Sequence, residues 1–264
     1  MNSLRKLLNH LLGIFGVQVI RKRSRNFDAI YGDLYSRAAK EPKLVIDVGG
    51  HNGSSVERFR GIWPEVAIHT FEPNSELMQE MLEKFSKSVD IKFNKLGVSN
   101  FQGKSSFNIH STSSGSSSIL QVNKGNEFSL RRGISDSTVS TVEIEVTTMD
   151  SYLLENLIDC VDILKVDVQG YEYEVFQGAE NSLKSGKIDF VEVELIVADL
   201  YRHEKKWADT VKLLTVCGYS TIAISTDARG TNLGPYDLFQ NPELQFDFLF
   251  ARNDLVKQLN KPSV

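Results

Sequence analysis

Apolar positions fall in short, mostly unbroken runs, separated by stretches with helical spacing. The runs are Lys43 to Val48, Val66 to Phe71, Ile91 to Val98, Val161 to Val166 and Ile188 to Ile196. In the first and fourth of these, apolar residues come in a row and do not alternate, which suits parallel strands buried on both faces. Between the runs, Ser24 to Ala39, Ser54 to Ile62, Ser75 to Phe85, Asp150 to Leu157, Tyr171 to Leu183 and Lys205 to Val216 predict helices. Glu41-Pro42 breaks the first of these and Gly218 stops the last. Ser54 or Ser55 is the expected cap of the second helix, and Asn74 or Ser75 that of the third. The pattern changes over residues 99–149. There a serine-rich stretch, Ser111 to Ser118, and an alternating run, Thr141 to Val146, predict a β-hairpin insertion around a flexible loop. Thr221 to Ser225 and Phe246 to Ala251 close the chain with no evident helix between them, so they are expected to pair antiparallel. Strand–helix alternation of this kind predicts an α/β fold, a doubly wound and mostly parallel sheet with helices on both faces. Residues 1–40 read as a helical extension and 41–264 as the domain.

Composition narrows the function classes. The 264 residues are 41% hydrophobic and 24% charged, an ordinary globular balance. A net charge of -4 argues against a protein devoted to gripping a nucleic-acid backbone. Two cysteines, Cys160 and Cys217, make neither a disulfide framework nor a multi-cysteine metal site. Both sit in apolar sequence and read as buried thiols in a reducing compartment. At the N-terminus Leu4, Leu7, Leu8, Leu11, Leu12 and Phe15 recur at helical spacing, followed by Arg21, Lys22, Arg23 and Arg25. The stretch is too short to span a bilayer, and no small-residue cleavage site is evident. It reads either as an amphipathic helix resting on an anionic membrane or a glycan-assembly enzyme, or as a helix packed on the domain, which is favoured. A cytoplasmic protein, at most peripheral to the inner face of a membrane, is expected.

Ligands of doubly wound sheets sit beyond the carboxyl ends of the strands, where strand order reverses. The residues there are Asp47 to Gly53, Glu72, Gly97 to Ser99, Asp167 to Gly170, and Glu194. Gly49, Gly50 and Gly53 lie between a strand and a helix, where glycine permits a tight turn close to a ligand. A dinucleotide fingerprint wants Gly-x-Gly-x-x-Gly facing a pyrophosphate. Here the first two glycines are adjacent and Asp47 precedes them, an anion that would repel a pyrophosphate. S-adenosylmethionine carries no phosphate. Its ammonium suits Asp47, its carboxylate suits the helix N-terminus, and Glu72 suits the ribose hydroxyls of either cofactor. The first acid therefore favours the methyl donor over a nicotinamide dinucleotide. His51 and Asn52 in the loop, and Gly97, Val98 and Ser99 at the third strand's end, complete the expected cofactor contacts.

The segments Val45-Ile46-Asp47-Val48-Gly49-Gly50-His51-Asn52-Gly53, Phe71-Glu72-Pro73, Leu164-Lys165-Val166-Asp167-Val168-Gln169-Gly170-Tyr171-Glu172 and Val191-Glu192-Val193-Glu194 resemble the FkbM family of S-adenosylmethionine-dependent methyltransferases. The similarity runs from about Lys43 to Arg252, and its Lys-x-Asp-x-x-Gly-x-Glu piece is the most specific. The resemblance implies a Rossmann-like methyltransferase sheet and O-methylation, often of a sugar or polyketide hydroxyl. Gln169 stands where the family more commonly carries Glu.

Methyl transfer places a nucleophilic oxygen opposite a sulfonium, so positioning supplies much of the acceleration. A sugar hydroxyl is a weak nucleophile and is helped by a base. Asp167, ending the fourth core strand, is the first candidate for base or hydroxyl anchor, and Glu194 is the second. His203 is a further candidate, since imidazole titrates near neutrality. Gln169 and Glu172 are expected on the acceptor side, with Glu172 alternatively orienting Asp167. Asp167, Glu172 and Glu194 have the chemistry for Mg²⁺, but no spacing demands a metal and none is expected. Ser111 to Ser118 is the expected lid. The expectation is thus an O-methyltransferase of a sugar or glycan hydroxyl. The alternatives are a polyketide or other small-molecule hydroxyl, or a cofactor-binding module without catalysis.

Overall fold

The computed structural model describes residues 27–37, 40–110, 114–125, 129–130, 134, 139–197, 200–202, 205–225 and 245–259. The N-terminal segment expected to meet a membrane or a partner, and His203, lie outside the described residues. No helix among the described residues is long and apolar enough to cross a membrane.

The central sheet has seven strands. They are β1 (Leu44–Val48), β2 (Ala67–Phe71), β3 (Ile91–Asn94), β7 (Val161–Val166), β8 (Ile188–Ile196), β9 (Tyr219–Ser225) and β10 (Gln245–Arg252). Their order is β3-β2-β1-β7-β8-β10-β9. The first five are parallel, while β10 runs antiparallel to both β8 and β9, as its sequence leads one to expect. The chain steps outward from β1 to β3, then returns to place β7 on the other side of β1. Strand order therefore reverses between β1 and β7, and a crevice opens beyond their carboxyl ends.

The unbroken apolar runs follow from burial on both faces. On one face Ile46, Val48, Leu164, Val166, Val191 and Val193 form a core with side chains of α4 (Met149–Glu155), α5 (Glu172–Gln177), α6 (Glu180–Lys184) and α7 (Trp207–Val216). On the other, Val45, Ile163, Phe190 and Leu249 pack against Tyr31 and Tyr35 of α1 (Phe27–Arg37), Phe59 of α2 (Ser54–Ile62), and Trp63. Tyr31 meets Trp63 and Phe190 edge-on, with ring centroids 6.0 and 5.8 Å apart. Each fully buried aliphatic or aromatic side chain contributes roughly 1.5–3 kcal/mol, so α1 is held firmly to the sheet.

Four local expectations change. The run from Ile91 to Val98 is two strands: Ile91–Asn94 pairs with β2, whereas β4 (Gly97–Val98) leaves the sheet and pairs with β6 (Val139–Thr147). With β5 (Gly103–His110), they form a separate sheet of order β4-β6-β5, the predicted hairpin insertion. The helix expected over Tyr171 to Leu183 is broken into α5 and α6 near Gly178, where an added Cβ would lie 2.0 Å from the Ser99 carbonyl oxygen. The cap of α2 is Gly53, at φ 78, rather than a serine; the Asn52 side chain accepts from the Ser54 amide at 3.1 Å. The α3 helix (Ser75–Lys84) is capped by Asn74, which accepts from the Glu76 amide. Cys217 is buried as expected, but Cys160 is exposed, because it precedes β7 instead of lying in it.

Candidate active site

The crevice between β1 and β7 holds a cleft enclosing about 870 Å³ of empty space, its open mouth included. Its floor is the turn after β1. Gly49 and Gly50 both donate their amides to the Phe71 carbonyl, at 3.0 and 2.9 Å. Gly49 has φ 91, and an added Cβ would lie 1.9 Å from the Asp167 carbonyl oxygen. Only glycine lets the β1 and β7 ends approach this closely. His51 follows at φ 47, an uncommon left-handed conformation for a residue with a side chain.

Glu72, just past β2, faces the cleft. Its two oxygens accept from the backbone amides of His51 (2.9 Å) and Asn74 (2.8 Å). Burial pushes its carboxyl up to about 7, against the pull of those amides. Each oxygen keeps a further lone pair for a ligand hydroxyl. Beside it, Phe71, Leu77, Leu96, Val98 and Phe107 give the cleft an apolar wall.

Strand register builds the opposite end. It sets Thr70, Asp47, Lys165 and Glu192 side by side across four strands, a polar row inside the core. Asp47 is fully buried and absent from the cleft lining. It accepts from the Thr70 hydroxyl at 3.3 Å and pairs with the Lys165 ammonium at 3.6 Å. Asp47 is expected to meet a ligand ammonium directly or through water; Lys165 occupies that side of the carboxylate, so the direct mode is corrected. Lys165 itself lines the cleft and lies 3.4 Å from Asp167. Burial pulls the Lys165 ammonium down, but the carboxylates of Asp167 and Asp47 outweigh it and hold it above its ordinary value. Glu192 is held from behind by Arg58, whose guanidinium makes two bonds to it, of 2.6 and 3.0 Å, and also bonds Asp28 of α1.

Asp167 keeps 32% of its side chain exposed, toward the cleft. Gln169 donates through Nε2 to Asp167 (3.0 Å) and to Glu194 (2.6 Å). The structure thus brings three expected site residues together. Burial pushes the Asp167 carboxyl up, but Lys165 and the Gln169 amide outweigh it and hold it below the ordinary carboxylate value. Burial, then the charges of Asp167 and Asp247, hold Glu194 well above it. The shifts favour Asp167 as the anion and Glu194 as the acid, the pattern expected where two carboxyls share a site.

Other expected residues are elsewhere. Glu172 does not face the cleft: its Oε1 accepts from the amides of Val168 (3.2 Å) and Gly170 (3.0 Å), so it shapes the loop that carries Gln169. Burial pushes its carboxyl up to about 8. Asn52 and Gly53 shape the start of α2 and are not lining residues, and Ser99 is buried against the Tyr171 hydroxyl at 3.0 Å. Gly97 and Val98 do line the cleft.

The serine-rich loop is ordered over its described part. His51 Nε2 and Ser114 Oγ are 2.9 Å apart, the Tyr201 hydroxyl donates to the Ser116 carbonyl at 2.9 Å, and the Ser118 hydroxyl donates to the Gln169 carbonyl at 2.8 Å. The insertion thus forms a wall of the cleft, with Ser114, Gly115, Ser117 and Ile119 facing in. Ser114 and Ser117 belong to the expected lid, whereas the sequence did not assign Lys165 to the lining. The signal for Lys165 was present, as a lone cation inside an apolar strand.

The donor set suits S-adenosylmethionine: the lining offers an apolar wall and the Glu72 carboxylate, and its Lys165 is already paired with two acids.

Among solved structures, the chain resembles the N-terminal domain of human METTL16 in complex with SAH, at TM-score 0.45 and 13% identity, covering 95% of this chain and 82% of that one. It also resembles a TehB-like SAM-dependent methyltransferase from Corynebacterium glutamicum, at TM-score 0.42 and 10% identity, covering 95% and 96%. Among curated proteins it is 24% identical over 180 residues to 2-O-methyltransferase NoeI of Sinorhizobium fredii, covering 65% of this chain and 71% of that protein. The model of the methyltransferase FkbM domain matches residues 47–221, from Asp47 at the cleft floor into β9. With well over half of its length matched, the chain belongs to the FkbM methyltransferase family and is an S-adenosylmethionine-dependent methyltransferase.

Proposed function

We propose that the protein transfers a methyl group to the oxygen of a sugar or glycan hydroxyl. The observation that carries this is the Asp167 carboxyl at the cleft, 3.4 Å from the Lys165 ammonium and bridged by the Gln169 amide to Glu194. An amine in its free-base form is already a nucleophile, whereas a hydroxyl gains from a base at the moment of attack. The 2-O-methyltransferase name of the relative supports oxygen as the acceptor atom.

Bound in the cleft, S-adenosylmethionine supplies an electrophilic methyl group on a sulfonium. Glu72 would hold the ribose hydroxyls, and Phe71, Leu77 and Val98 would pack on the adenine side. Asp167 accepts the acceptor's proton as its oxygen gains the methyl group. Lys165 keeps that carboxylate ionised before the step. Glu194, outside the cleft lining, hydrogen-bonds Asp167 from behind. The wall from Ser114 to Ile119 limits water around the reacting atoms. The polar character of that end, with Ser114, Ser117 and Gln169 facing in, suits a polyhydroxylated acceptor better than an apolar one.

The test is incubation with methyl-labelled S-adenosylmethionine and a panel of glycans, amino sugars and polyketide alcohols, followed by mass spectrometry. An alkali-stable methyl ether on a sugar hydroxyl is expected. Label appearing only on nitrogen or on non-sugar alcohols would overturn the proposal.

The Glu72 assignment makes a separate prediction. Ribose hydroxyls donate to the ionised carboxylate, so bound ligand favours that form. With the free carboxyl pushed up to about 7, affinity for S-adenosylhomocysteine is expected to fall as pH drops below about 7 and to level off above it. Glu72→Gln is expected to bind about tenfold more weakly at pH 8, from loss of charge-assisted bonds, and to flatten the pH dependence. Calorimetry from pH 6 to 8.5 checks this; equal affinity and equal slope in the variant would remove Glu72 from the ribose site.

A further inference from the structure

We infer that Gln169 is a positioning residue: its side-chain amide bridges the two acids beside the cleft and supports Asp167 as an anion on the oxygen that Lys165 does not reach. The inference rests on the reading of Asp167 as the base. The residue is held in a costly conformation, at φ 55 with Gly170 at φ 92 beyond it. A residue with a side chain in the left-handed region is retained where its surroundings over-determine it. Here they do. Glu172 accepts from the amides on either side of Gln169, and the Ser118 hydroxyl donates to its carbonyl. The turn projects the amide between two carboxyls. Its two N–H donors reach Asp167 at 3.0 Å and Glu194 at 2.6 Å, and its Oε1 lies 3.3 Å from the Tyr201 hydroxyl.

An amide suits that place because it donates at every pH. A carboxyl at position 169 would donate only while protonated, and would add a third acid once ionised. The charged groups facing the pair come from every neighbouring element. They are Asp47 of β1, Glu72 after β2, Lys165 of β7, Glu172 of α5, Glu192 of β8, and Asp247 of β10. Lys165 is the one cation among them. Gln169 provides a second, uncharged source of stabilisation for the Asp167 anion, on the oxygen opposite the one Lys165 approaches. The Glu194 end of the bridge holds that carboxyl in line with Asp167, where Gln245 also bonds it.

The informative variant is Gln169→Gly. Glycine adopts the left-handed turn without strain, so the loop keeps its shape while the amide is lost. Infrared titration of carboxyl bands in the S-adenosylhomocysteine-bound protein reads the pair directly, with Asp167→Asn and Glu194→Gln assigning the two steps. A hydrogen bond to a charged group is worth roughly one to two pH units on the acceptor. Gln169→Gly is therefore expected to move the Asp167 step upward by about that much, with ligand affinity within about threefold of the parent. Gln169→Glu is expected to add a third carboxyl step. An Asp167 step unmoved in Gln169→Gly overturns the inference, whatever happens to activity. If the step moves but Asp167→Asn still transfers methyl groups at the parent rate, the bridge stands and the base assignment falls.

Discussion

Asp167→Asn is expected to lower methyl transfer by about 10²–10⁴-fold, the usual contribution of a positioned general base, while S-adenosylhomocysteine affinity changes by less than about threefold. The substitution is nearly isosteric. The amide oxygen can still accept from Gln169, and Lys165 keeps its pairing with Asp47 at 3.6 Å. What disappears is the anion that takes the acceptor's proton. Glu194→Gln provides the contrast. Burial and the charge of Asp167 favour the neutral form of Glu194, which a neutral amide mimics, and the variant is expected to keep a large part of the parent rate. Single-turnover rates on the acceptor found by the labelling screen, with calorimetry on the same preparations, read both. A rate within threefold of the parent for Asp167→Asn would sink the assignment. A dead Glu194→Gln beside an active Asp167→Asn would transfer the base role to Glu194.

Much of this was legible in the sequence, for a physical reason. Strands buried on both faces write themselves as apolar runs, and an acid at the end of such a run stands out, as Asp47, Asp167 and Glu194 do. What each acid faces was not legible. Asp47 reads as a ligand residue until register brings Lys165, 118 positions later in the chain, against it. Glu172 reads as an acceptor contact, but its carboxylate turns back to the loop two to four residues before it. The divided third strand and the break at Gly178 were hidden for a similar reason. Gly97 and Val98 continue an apolar run but pair with β6 in another sheet, and Gly178 is set by the Ser99 backbone packed against it. The core and the strand ends are local properties of the chain, whereas partners across the sheet are not.

The polar row beneath the cleft carries the largest expected effect on stability. Arg58→Met is expected to cost about 3–5 kcal/mol, the range for breaking a buried ion pair by removing one partner. Glu192 is 1% exposed, and the Arg58 guanidinium contacts both of its oxygens. The variant leaves that carboxylate with the Tyr31 hydroxyl, at 3.0 Å, as its remaining hydrogen-bond donor among the described residues. For a chain of this size the loss corresponds to a Tm lower by roughly 6–20 °C. The cost comes chiefly from the stranded charge, so a second substitution is expected to recover most of it. Arg58→Met with Glu192→Leu replaces the pair by apolar groups, and such replacements are often neutral in stability. Thermal and urea unfolding of the parent, the single and the double variant close the cycle. A single variant within about 1 kcal/mol of the parent would mean that the pair is not desolvated as the structure places it. The same contacts explain why α1 belongs with the catalytic sheet although it precedes the matched family domain. Asp28 and Tyr31 bond the two members of this pair. Arg58→Met is accordingly expected to loosen α1 first, read as faster amide exchange there than in β7. Activity in the double variant then separates the floor's mechanical role from its charge. Glu192 is the register neighbour of Lys165, so if its charge helps hold the ammonium against Asp167, the double variant will be stable yet slower.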